Sequence, residues 1–382
     1  MKALVNGIIY TGRRILDDHA ILIDGEHIVD VPPRGDVSGS CEQVDLHGLS
    51  VAPGFVDLQL YGGGGIMFNE PPTVQGLREI ASAHARFGVT RFLPTLVSSS
   101  ETKMRTARAV VQDAIRDGVT GVMGIHFEGP FLSIAKAGAH DRAAIRPMTD
   151  EDADIILPLD GLPTLMTFAP ESLSAEQAAT FRDAGVKLSI GHTAATARTV
   201  NAYFDSGVHC LTHIHNAMSA FTSREPGVVG VAMADERVWA GIIVDGHHVD
   251  FQSVRATWNA WRSKQAGRLF LITDAMPPVG SSVDQFWLGD QRIRVVAGTC
   301  RTPDGVLAGS RLDMATAIRN CVRQVGIPLD EALRMASTYP AQFMGWDNRF
   351  GAIEAGMIAD LAIFDDDLVV RGFARSGQIE FF

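Results

Sequence analysis

The sequence of 382 residues contains only four cysteines, Cys41, Cys210, Cys300 and Cys321. They lie far apart and form no CxxC pair, so neither a disulfide framework nor a thiolate zinc site is indicated. The N-terminal segment also has no apolar run long enough for a signal sequence or a membrane span. These absences predict a soluble protein of the reducing cytoplasm.

Basic residues are scarce as well. Lys and Arg total 33 against 44 Asp and Glu, which gives a net charge of −11. Without a clustered excess of cations, a surface for nucleic acid or anionic membrane is not expected, and a small soluble substrate is the better prediction. Hydrophobic residues make up 46% of the chain, enough for one large core and a smaller second one.

The hydrophobic pattern predicts three sections. Residues 1–50 alternate as short strands with Gly and Asp turns, and a similar β-rich pattern returns from Phe350 to the C-terminus. Between them, eight strand-like runs alternate with helical stretches: Phe55–Tyr61, Val89–Val97, Val122–Glu128, Leu165–Ala169, Val186–Gly191, Cys210–His215, Trp239–Asp245 and Leu269–Asp274. We therefore predict an α/β protein with a (β/α)8 TIM-like barrel over residues 51–348 and a small β-sandwich formed by residues 1–50 and 349–382. An open doubly wound sheet would share much of the pattern.

Helical stretches are predicted between most of these strands, and hairpins follow the eighth over residues 286–310. The predicted helices are Thr73–Phe87, Glu101–Asp117, Ala175–Ala184, Thr196–Ser206, Phe251–Lys264, Arg311–Val325 and Asp330–Thr338.

Four polar residues stand at the ends of predicted strands: Glu128, His192, His213 and Asp274. A barrel of parallel strands gathers its strand ends at one face, so these side chains are expected to meet there. One carboxylate and two imidazoles with an open position form a catalytic zinc set, although iron or manganese would also suit. Each residue also has an ordinary interpretation, as an exposed strand-end Glu, a hydrogen-bonded core His or a turn-capping Asp. Together they predict a metal-dependent hydrolase with Asp274 as general base.

Further candidates lie on the loops that follow the strands. His140 could donate a hydrogen bond to an oxyanion, and His126 should share a face with Glu128. Arg224 and His248, with Asn216, could form an anion clamp, because a guanidinium binds phosphate bidentately. Arg224 could equally be an ordinary surface residue.

A set of motifs carries a family resemblance: PGFVDLQLYG, GIHFEGPFL, KAGAH, SIGHT, THIHNAM, SREPG, DGHHVD, LITDA and LAGS. Together they resemble the N-acetylglucosamine-6-phosphate deacetylases of the amidohydrolase superfamily, over nearly the whole chain and in family order. The resemblance implies a (β/α)8 barrel with a small β-sandwich from both termini and usually a homodimer. It also implies cleavage of the acetamide of N-acetyl-D-glucosamine 6-phosphate.

Residue by residue, the resemblance implies that Glu128, His192 and His213 bind the metal, that Asp274 is the acid/base, and that His140 helps to polarise the acetyl carbonyl. It implies that Arg224 and His248 reach across the dimer into the neighbouring site. The implied substrate-binding residues are Ala139, His140, Asn216, Ala217, Arg224, His248, Leu307 and Ala308.

One departure concerns the first predicted strand. Where many superfamily members carry His-x-His, this chain has Gln59-Leu-Tyr61. Neither side chain is a good ligand for a second divalent ion, so one metal ion per subunit is expected, Zn²⁺ first, with Fe²⁺, Mn²⁺ or Co²⁺ also accommodated. His215 and His247 receive no role beyond a hydrogen-bonding one beside the site.

Other functions stay open at this point. A deacetylase for another N-acetyl amino sugar phosphate, such as the galactosamine epimer, or a cyclic-amide hydrolase would use the same ligands. A non-catalytic barrel homologue is the more distant alternative. Asp274 argues against the latter, because a binding protein has no need of a base beside a metal.

Overall fold

The centre of the protein is a barrel of eight parallel strands. In the computed structural model, which describes residues 1–158, 161–262 and 268–382, each strand pairs with the next along the chain. The barrel strands are Phe55–Leu60, Val89–Val97, Ile125–Glu128, Thr164–Phe168, Lys187–Ile190, Cys210–Leu211, Trp239–Ile242 and Leu269–Leu271. All eight strands occur in the predicted order, which confirms the predicted barrel, although several are shorter than predicted.

The first and eighth strands meet, and this contact closes the sheet. Leu60 forms a parallel bridge with Ala275, and the backbone amide of Asp274 donates to the carbonyl of Gln59 at 2.9 Å. An open doubly wound sheet is therefore ruled out.

Helices between the strands cover the outside of the barrel. The helices of seven residues or more are Val74–Ala85, Glu101–Arg116, Ala175–Asp183, Ala197–Asp205, Gly227–Ala234, Phe251–Arg262, Met314–Asn320, Leu329–Ala336 and Thr338–Met344. The helix that begins at Phe251 is predicted to end at Lys264, which lies outside the described residues. Among the helices of the described ranges, none has the length and hydropathy of a membrane span.

The helix Glu101–Arg116 shows why these segments fold as they do. The side chain of Ser100 caps it by accepting from the amide of Lys103. Its buried apolar residues, Met104, Ala107, Val111 and Ala114, recur at steps of three and four and face the strands. The opposite face carries charged residues and stays in solvent.

Both chain termini build the smaller unit. A six-stranded sheet has the order Gln378–Phe381, Val370–Arg375, Leu361–Phe364, Ser50–Pro53, Ile8–Tyr10 and Ile15–Leu16. A four-stranded sheet has the order His27–Asp30, Ile21–Asp24, Lys2–Val5 and Glu42–Asp45. Ile9 and Val51 from the N-terminal part pack with Leu361 and Ile363 from the C-terminal part in one core. The sandwich predicted from both ends is thereby confirmed, while the domain limits at residues 50 and 349 stay a prediction.

The predicted hairpins form a separate three-stranded sheet of Gln285–Leu288, Gln291–Val296 and Thr299–Arg301. Its buried residues Phe286, Leu288 and Ile293 pack with Tyr61 and Met276 at the C-terminal mouth of the barrel. This sheet therefore walls one side of the opening into which the strand ends project.

Candidate active site

Four polar side chains are buried at the C-terminal mouth of the barrel. Glu128 is the last residue of the third strand, while His192, His213 and Asp274 follow shortly after the fifth, sixth and eighth strands. Their exposed fractions are 1%, 5%, 4% and 6%, respectively. Burying a carboxylate without a partner is costly, so Glu128 and Asp274 need nearby donors or a cation.

The backbone is strained at three of these positions. The φ angles of His192, His213 and Asp274 are 47°, 31° and 56°, in the left-handed region that non-glycine residues rarely adopt. Such a conformation costs on the order of 1 kcal/mol or more and persists only where the surroundings impose it. Here it ends each strand ladder and turns the chain at the cavity.

The reactive atoms of the cluster converge on Glu128. Its Oε1 lies 3.1 Å from His213 Nε2 and 3.4 Å from His192 Nε2, and the two imidazole nitrogens are 3.1 Å apart. Its Oε2 lies 3.2 Å from His140 Nε2. Two overlapping sets of potential ligands result, because Glu128, His140 and His192 also bring one ligand atom each within 4.8 Å of one another.

These separations suit a divalent ion. Bonds of ~2.0–2.2 Å at tetrahedral angles place neighbouring ligand atoms roughly 3.3 Å apart, close to the 3.1–3.4 Å between Glu128, His192 and His213. His192 Nδ1 is 2.8 Å from the carbonyl oxygen of Lys136 and donates to it, so its Nε2 lone pair is free to face the cluster. The donor set therefore fits a divalent metal.

Electrostatics differ between the two carboxyl groups. Burial opposes ionisation of Glu128, but the surrounding imidazoles of His140, His192 and His213 hold its pKa well below the usual range. Burial raises the pKa of Asp274, with the charge of Glu128 adding to this and that of His213 opposing it. Burial and the neighbouring His140 lower the pKa of His192 to about 4, so its imidazole is neutral, as a ligand must be. Glu128 is thus suited to bind a cation, and Asp274 is suited to accept a proton.

Gln59 and Tyr61 join these two carboxylates. Gln59 Nε2 lies 3.0 Å from Glu128 Oε1, 2.9 Å from Asp274 Oδ1 and 2.8 Å from the Tyr61 hydroxyl. The Tyr61 hydroxyl in turn donates to Glu128 Oε2. From the sequence, these two residues were recognised only as poor metal ligands. Asp57, Gln59 and Tyr61 are two positions apart, so they lie on one face of the strand, and this pattern could have placed them inside the barrel.

A cavity of about 420 Å³ opens above the cluster, a size that suits a small-molecule ligand. The structure brings almost all predicted site residues to its lining: Glu128, Ala139, His140, His192, His213, Asn216, Ala217, His248, Asp274, Leu307 and Ala308. Arg224 is exposed and lies outside the cavity of its own chain.

The remaining histidines have different surroundings. His248 is held by Asp245, whose Oδ2 lies 2.6 Å from its Nδ1 and whose Oδ1 accepts from its amide; sequence reasoning assigned no role to Asp245. His215 Nε2 contacts Thr257 Oγ1 at 2.6 Å, and His247 is exposed. His126 lies beneath the cavity between Thr95 and Thr167.

Ser98 holds His140 on the side away from the cluster. The backbone amide and hydroxyl of Ser98 lie 3.3 Å and 2.8 Å from His140 Nδ1. Because an amide can only donate, Nδ1 is the acceptor and the proton of a neutral His140 lies on Nε2. His140 therefore presents an N–H group to the cavity.

Comparison with known proteins agrees with this architecture. Residues 50–380 match the amidohydrolase family, and residues 1–51 match the NagA composite domain. The N-acetylglucosamine-6-phosphate deacetylase of Haemophilus influenzae is 36% identical over 379 residues, covering 98% of each chain. The N-acetylgalactosamine-6-phosphate deacetylase of a Shewanella species is 41% identical over 330 residues, covering 86% of this chain and 83% of that protein.

A solved structure extends the similarity to three dimensions. The crystal structure of N-acetylglucosamine-6-phosphate deacetylase from Pasteurella multocida superimposes with a TM-score of 0.96 at 35% identity, covering 100% of both chains. The chain belongs to the amidohydrolase family, and within it to the N-acetylglucosamine-6-phosphate deacetylases.

Proposed function

We propose that this protein hydrolyses the acetamide of N-acetyl-D-glucosamine 6-phosphate to acetate and D-glucosamine 6-phosphate, using one divalent ion, Zn²⁺ in the first instance. The observation that carries the proposal is the convergence of Glu128, His192 and His213 beside Asp274 under a cavity of about 420 Å³. Several relatives that the chain matches over nearly its whole length carry this activity in their names.

Hydrogen-bond partners favour His192 over His140 as a metal ligand, while the assignment of His213, whose Nδ1 has no hydrogen-bond partner among the described residues, depends on its distances to Glu128 and His192. His192 donates from Nδ1 to a carbonyl, which leaves the Nε2 lone pair for a metal. His140 accepts at Nδ1 from Ser98, which puts its proton on Nε2 and makes that atom a donor. We therefore assign His140 to the substrate carbonyl rather than to the ion.

The chain's own groups account for the proton transfers. When bound, the ion polarises the acetyl carbonyl and lowers the pKa of water. Asp274, held by Gln59 at 2.9 Å, removes the proton from the attacking water and returns it to the sugar nitrogen as the C–N bond breaks. The Nε2–H group of His140 stabilises the negative charge that develops on the carbonyl oxygen.

The phosphate end of the substrate is assigned to Asn216, the Ala217 amide and His248, which line the cavity. Arg224 is exposed and outside this cavity, as expected of a residue that serves the neighbouring subunit of a homodimer. We assign the sugar wall to Ala139, Leu307 and Ala308. The four buried, unpaired cysteines suit the cytoplasm as its location.

The galactosamine epimer is the second candidate substrate. The Shewanella relative named for it is 41% identical to this chain, against 36% for the Haemophilus relative. The two sugars differ in the direction of one hydroxyl, so the metal cluster and Asp274 would serve both.

An acetate-release assay tests the proposal. The metal-loaded protein is given N-acetylglucosamine 6-phosphate, its galactosamine epimer and unphosphorylated N-acetylglucosamine in parallel, and kcat/KM is compared. The proposal predicts the highest value for the first substrate. A higher value for the epimer would assign the second candidate, and no acetate from any of the three would contradict deacetylation.

A further inference from the structure

A second cleft lies at the opposite end of the barrel from the metal cluster. It has a volume of about 460 Å³ and is walled by the helix Val74–Ala85 and by the last two strands of the six-stranded sheet, Val370–Arg375 and Gln378–Phe381. Val89, at the start of the second barrel strand, accepts from Arg375 in its floor. That strand runs nine residues from Val89 to Val97 at the cavity rim, so the two sites are on the order of 25 Å apart.

Three arginines face this cleft. Arg78 and Arg86 lie eight positions apart on the helix and its C-cap, which puts both on the same side with Ser82 between them. Arg375 comes from the sheet on the other side. Against these three cations, the side chains that line the cleft include one carboxylate, that of Glu380. Positive charge is therefore in excess at this cleft, although the protein as a whole has a net charge of −11.

Arg375 is the innermost of the three, with 8% of its surface exposed. Its Nη1 donates to Thr120 Oγ1 at 2.9 Å, and its Nη2 donates to the carbonyls of Ala81 and Val89 at 3.3 Å and 3.2 Å. Its buried Nε has no hydrogen-bond partner among the described residues. Neutral acceptors thus hold the guanidinium without cancelling its charge, and burial lowers its pKa to about 10.

Ion pairs are absent at this cleft in the described ranges of the chain. Elsewhere in the protein, the half-buried Arg91 and Arg146 each pair with a carboxylate, that of Asp360 and that of Asp152, respectively. In the same ranges, no carboxylate pairs with Arg78, Arg86 or Arg375; Arg78 reaches only the carbonyl of Asp117, at 3.4 Å. Arg78 and Arg86 are exposed, whereas Arg375 is buried and is influenced by the charges of Asp360 and Glu380 without contacting them. An anion bound at the cleft would therefore face three cations that form no ion pair in the described part of the chain.

The rest of the lining is apolar and aromatic. The guanidinium of Arg86 lies 5.2 Å from the ring centre of Phe382, and that of Arg375 lies 5.4 Å from the ring centre of Phe373. Stacking on a ring leaves the N–H edge of Arg86 for a ligand, whereas the Nη groups of Arg375 are already donated to Thr120, Ala81 and Val89. The cleft therefore combines cations for an anionic head with rings and an aliphatic wall at Ile379 for an apolar body.

We propose that this cleft is a second ligand site, separate from the deacetylation site, and that it binds a small organic phosphate monoester whose phosphate contacts Arg78 and Arg86 and whose apolar body lies against Phe373 and Phe382. The volume of the cleft accommodates a ligand of this size. Guanidinium groups bind phosphate bidentately, which a carboxylate-rich surface would not do.

Titration calorimetry with phenyl phosphate tests the site on the metal-loaded protein. Binding is compared in wild type, Arg78→Gln, Arg86→Gln and a matched control, Arg105→Gln. Arg105 is exposed and pairs with Glu101 within the helix Glu101–Arg116, outside the cleft. Any binding at the deacetylation site is common to all four. We expect each cleft variant to weaken a phenyl phosphate site at least about tenfold, with wild-type affinity in the control and unchanged melting temperatures in all.

Two further titrations decide which part of the ligand is recognised. Inorganic phosphate is expected to bind the cleft more weakly than phenyl phosphate, and phenol is expected not to bind. Equal phenyl phosphate affinity in all four proteins, or no binding at all, would overturn the proposal. Phenol binding as tightly as phenyl phosphate would also overturn it, because the arginines would then play no part.

Discussion

The amide nitrogen of Gln59 lies 2.9 Å from Asp274 Oδ1 and 3.0 Å from Glu128 Oε1, so one neutral side chain links the proposed base to the proposed metal ligand. Two buried carboxylates this close repel each other unless donors or a cation lie between them. Gln59 supplies such donors from the first barrel strand.

Replacing this amide should therefore disturb catalysis without removing the ligands. We expect Gln59→Leu to lower kcat by roughly 5- to 150-fold, because leaving buried acceptors unsatisfied costs about 1–3 kcal/mol. Steady-state kinetics and metal analysis are the measurements, with exposed Gln75→Leu as control. A wild-type kcat in Gln59→Leu would show that the link is dispensable.

Asp274→Asn tests the proton transfer. Asn adopts the left-handed backbone that Asp274 has at φ 56°, and it keeps the shape of the side chain, so the fold should tolerate it. We expect turnover to fall by about 10²- to 10⁴-fold, with metal content and melting temperature at or above those of wild type. Near-normal turnover would remove Asp274 from the mechanism.

The raised pKa of the buried Asp57 leads us to expect that the stability of the protein depends on pH. Burial raises the pKa of Asp57 to about 7, and its Oδ2 lies 2.5 Å from Thr273 Oγ1 across the closure of the barrel. The folded protein therefore keeps a proton on Asp57 that the unfolded chain releases above about pH 4. Its contribution to the free energy of unfolding is greatest below pH 4, declines as the pH rises to 7 and is constant above 7.

Asp57→Asn should remove that dependence. As the pH rises from 5 to 8, the wild type should lose roughly 3 kcal/mol of its free energy of unfolding through Asp57, and the variant should not. Urea unfolding of both proteins across this range measures the difference, with exposed Asp347→Asn as control. A difference that stays constant with pH would mean that Asp57 is ionised in the folded protein.

Arg224→Ala tests the assignment of the phosphate contact. Loss of a bidentate guanidinium should lower kcat/KM for the phosphorylated sugar by about 10²-fold and affect unphosphorylated N-acetylglucosamine far less. Arg198→Ala, an exposed arginine on the helix Ala197–Asp205, is the control. Equal losses for both substrates would contradict the clamp.

The fold could be predicted because its strands are runs of β-branched and apolar residues separated by amphipathic helices. The sequence pattern predicts that the sixth, seventh and eighth strands end at His215, Asp245 and Asp274. In the structure these strands are shorter and end at Leu211, Ile242 and Leu271. The apolar pattern continues past the last ladder hydrogen bond, and the left-handed backbone of His213 and Asp274 leaves no mark in composition.

The site could be predicted only in part. Glu128, His192 and His213 stand out as metal-binding residue types at strand ends, and the structure places them together. The hydrogen bonds of Gln59, Ser98 and Asp245 link residues on different strands and loops or depend on local turns. Nothing in their own residue types distinguishes them from ordinary polar residues, so the closed barrel was needed to find them.

Metal analysis of two histidine variants separates the two overlapping ligand sets, which share Glu128 and His192. We expect one divalent ion per chain in wild type and in His140→Ala, and loss of the ion in His213→Ala. Retention of the ion in His213→Ala together with its loss in His140→Ala would contradict the assignment.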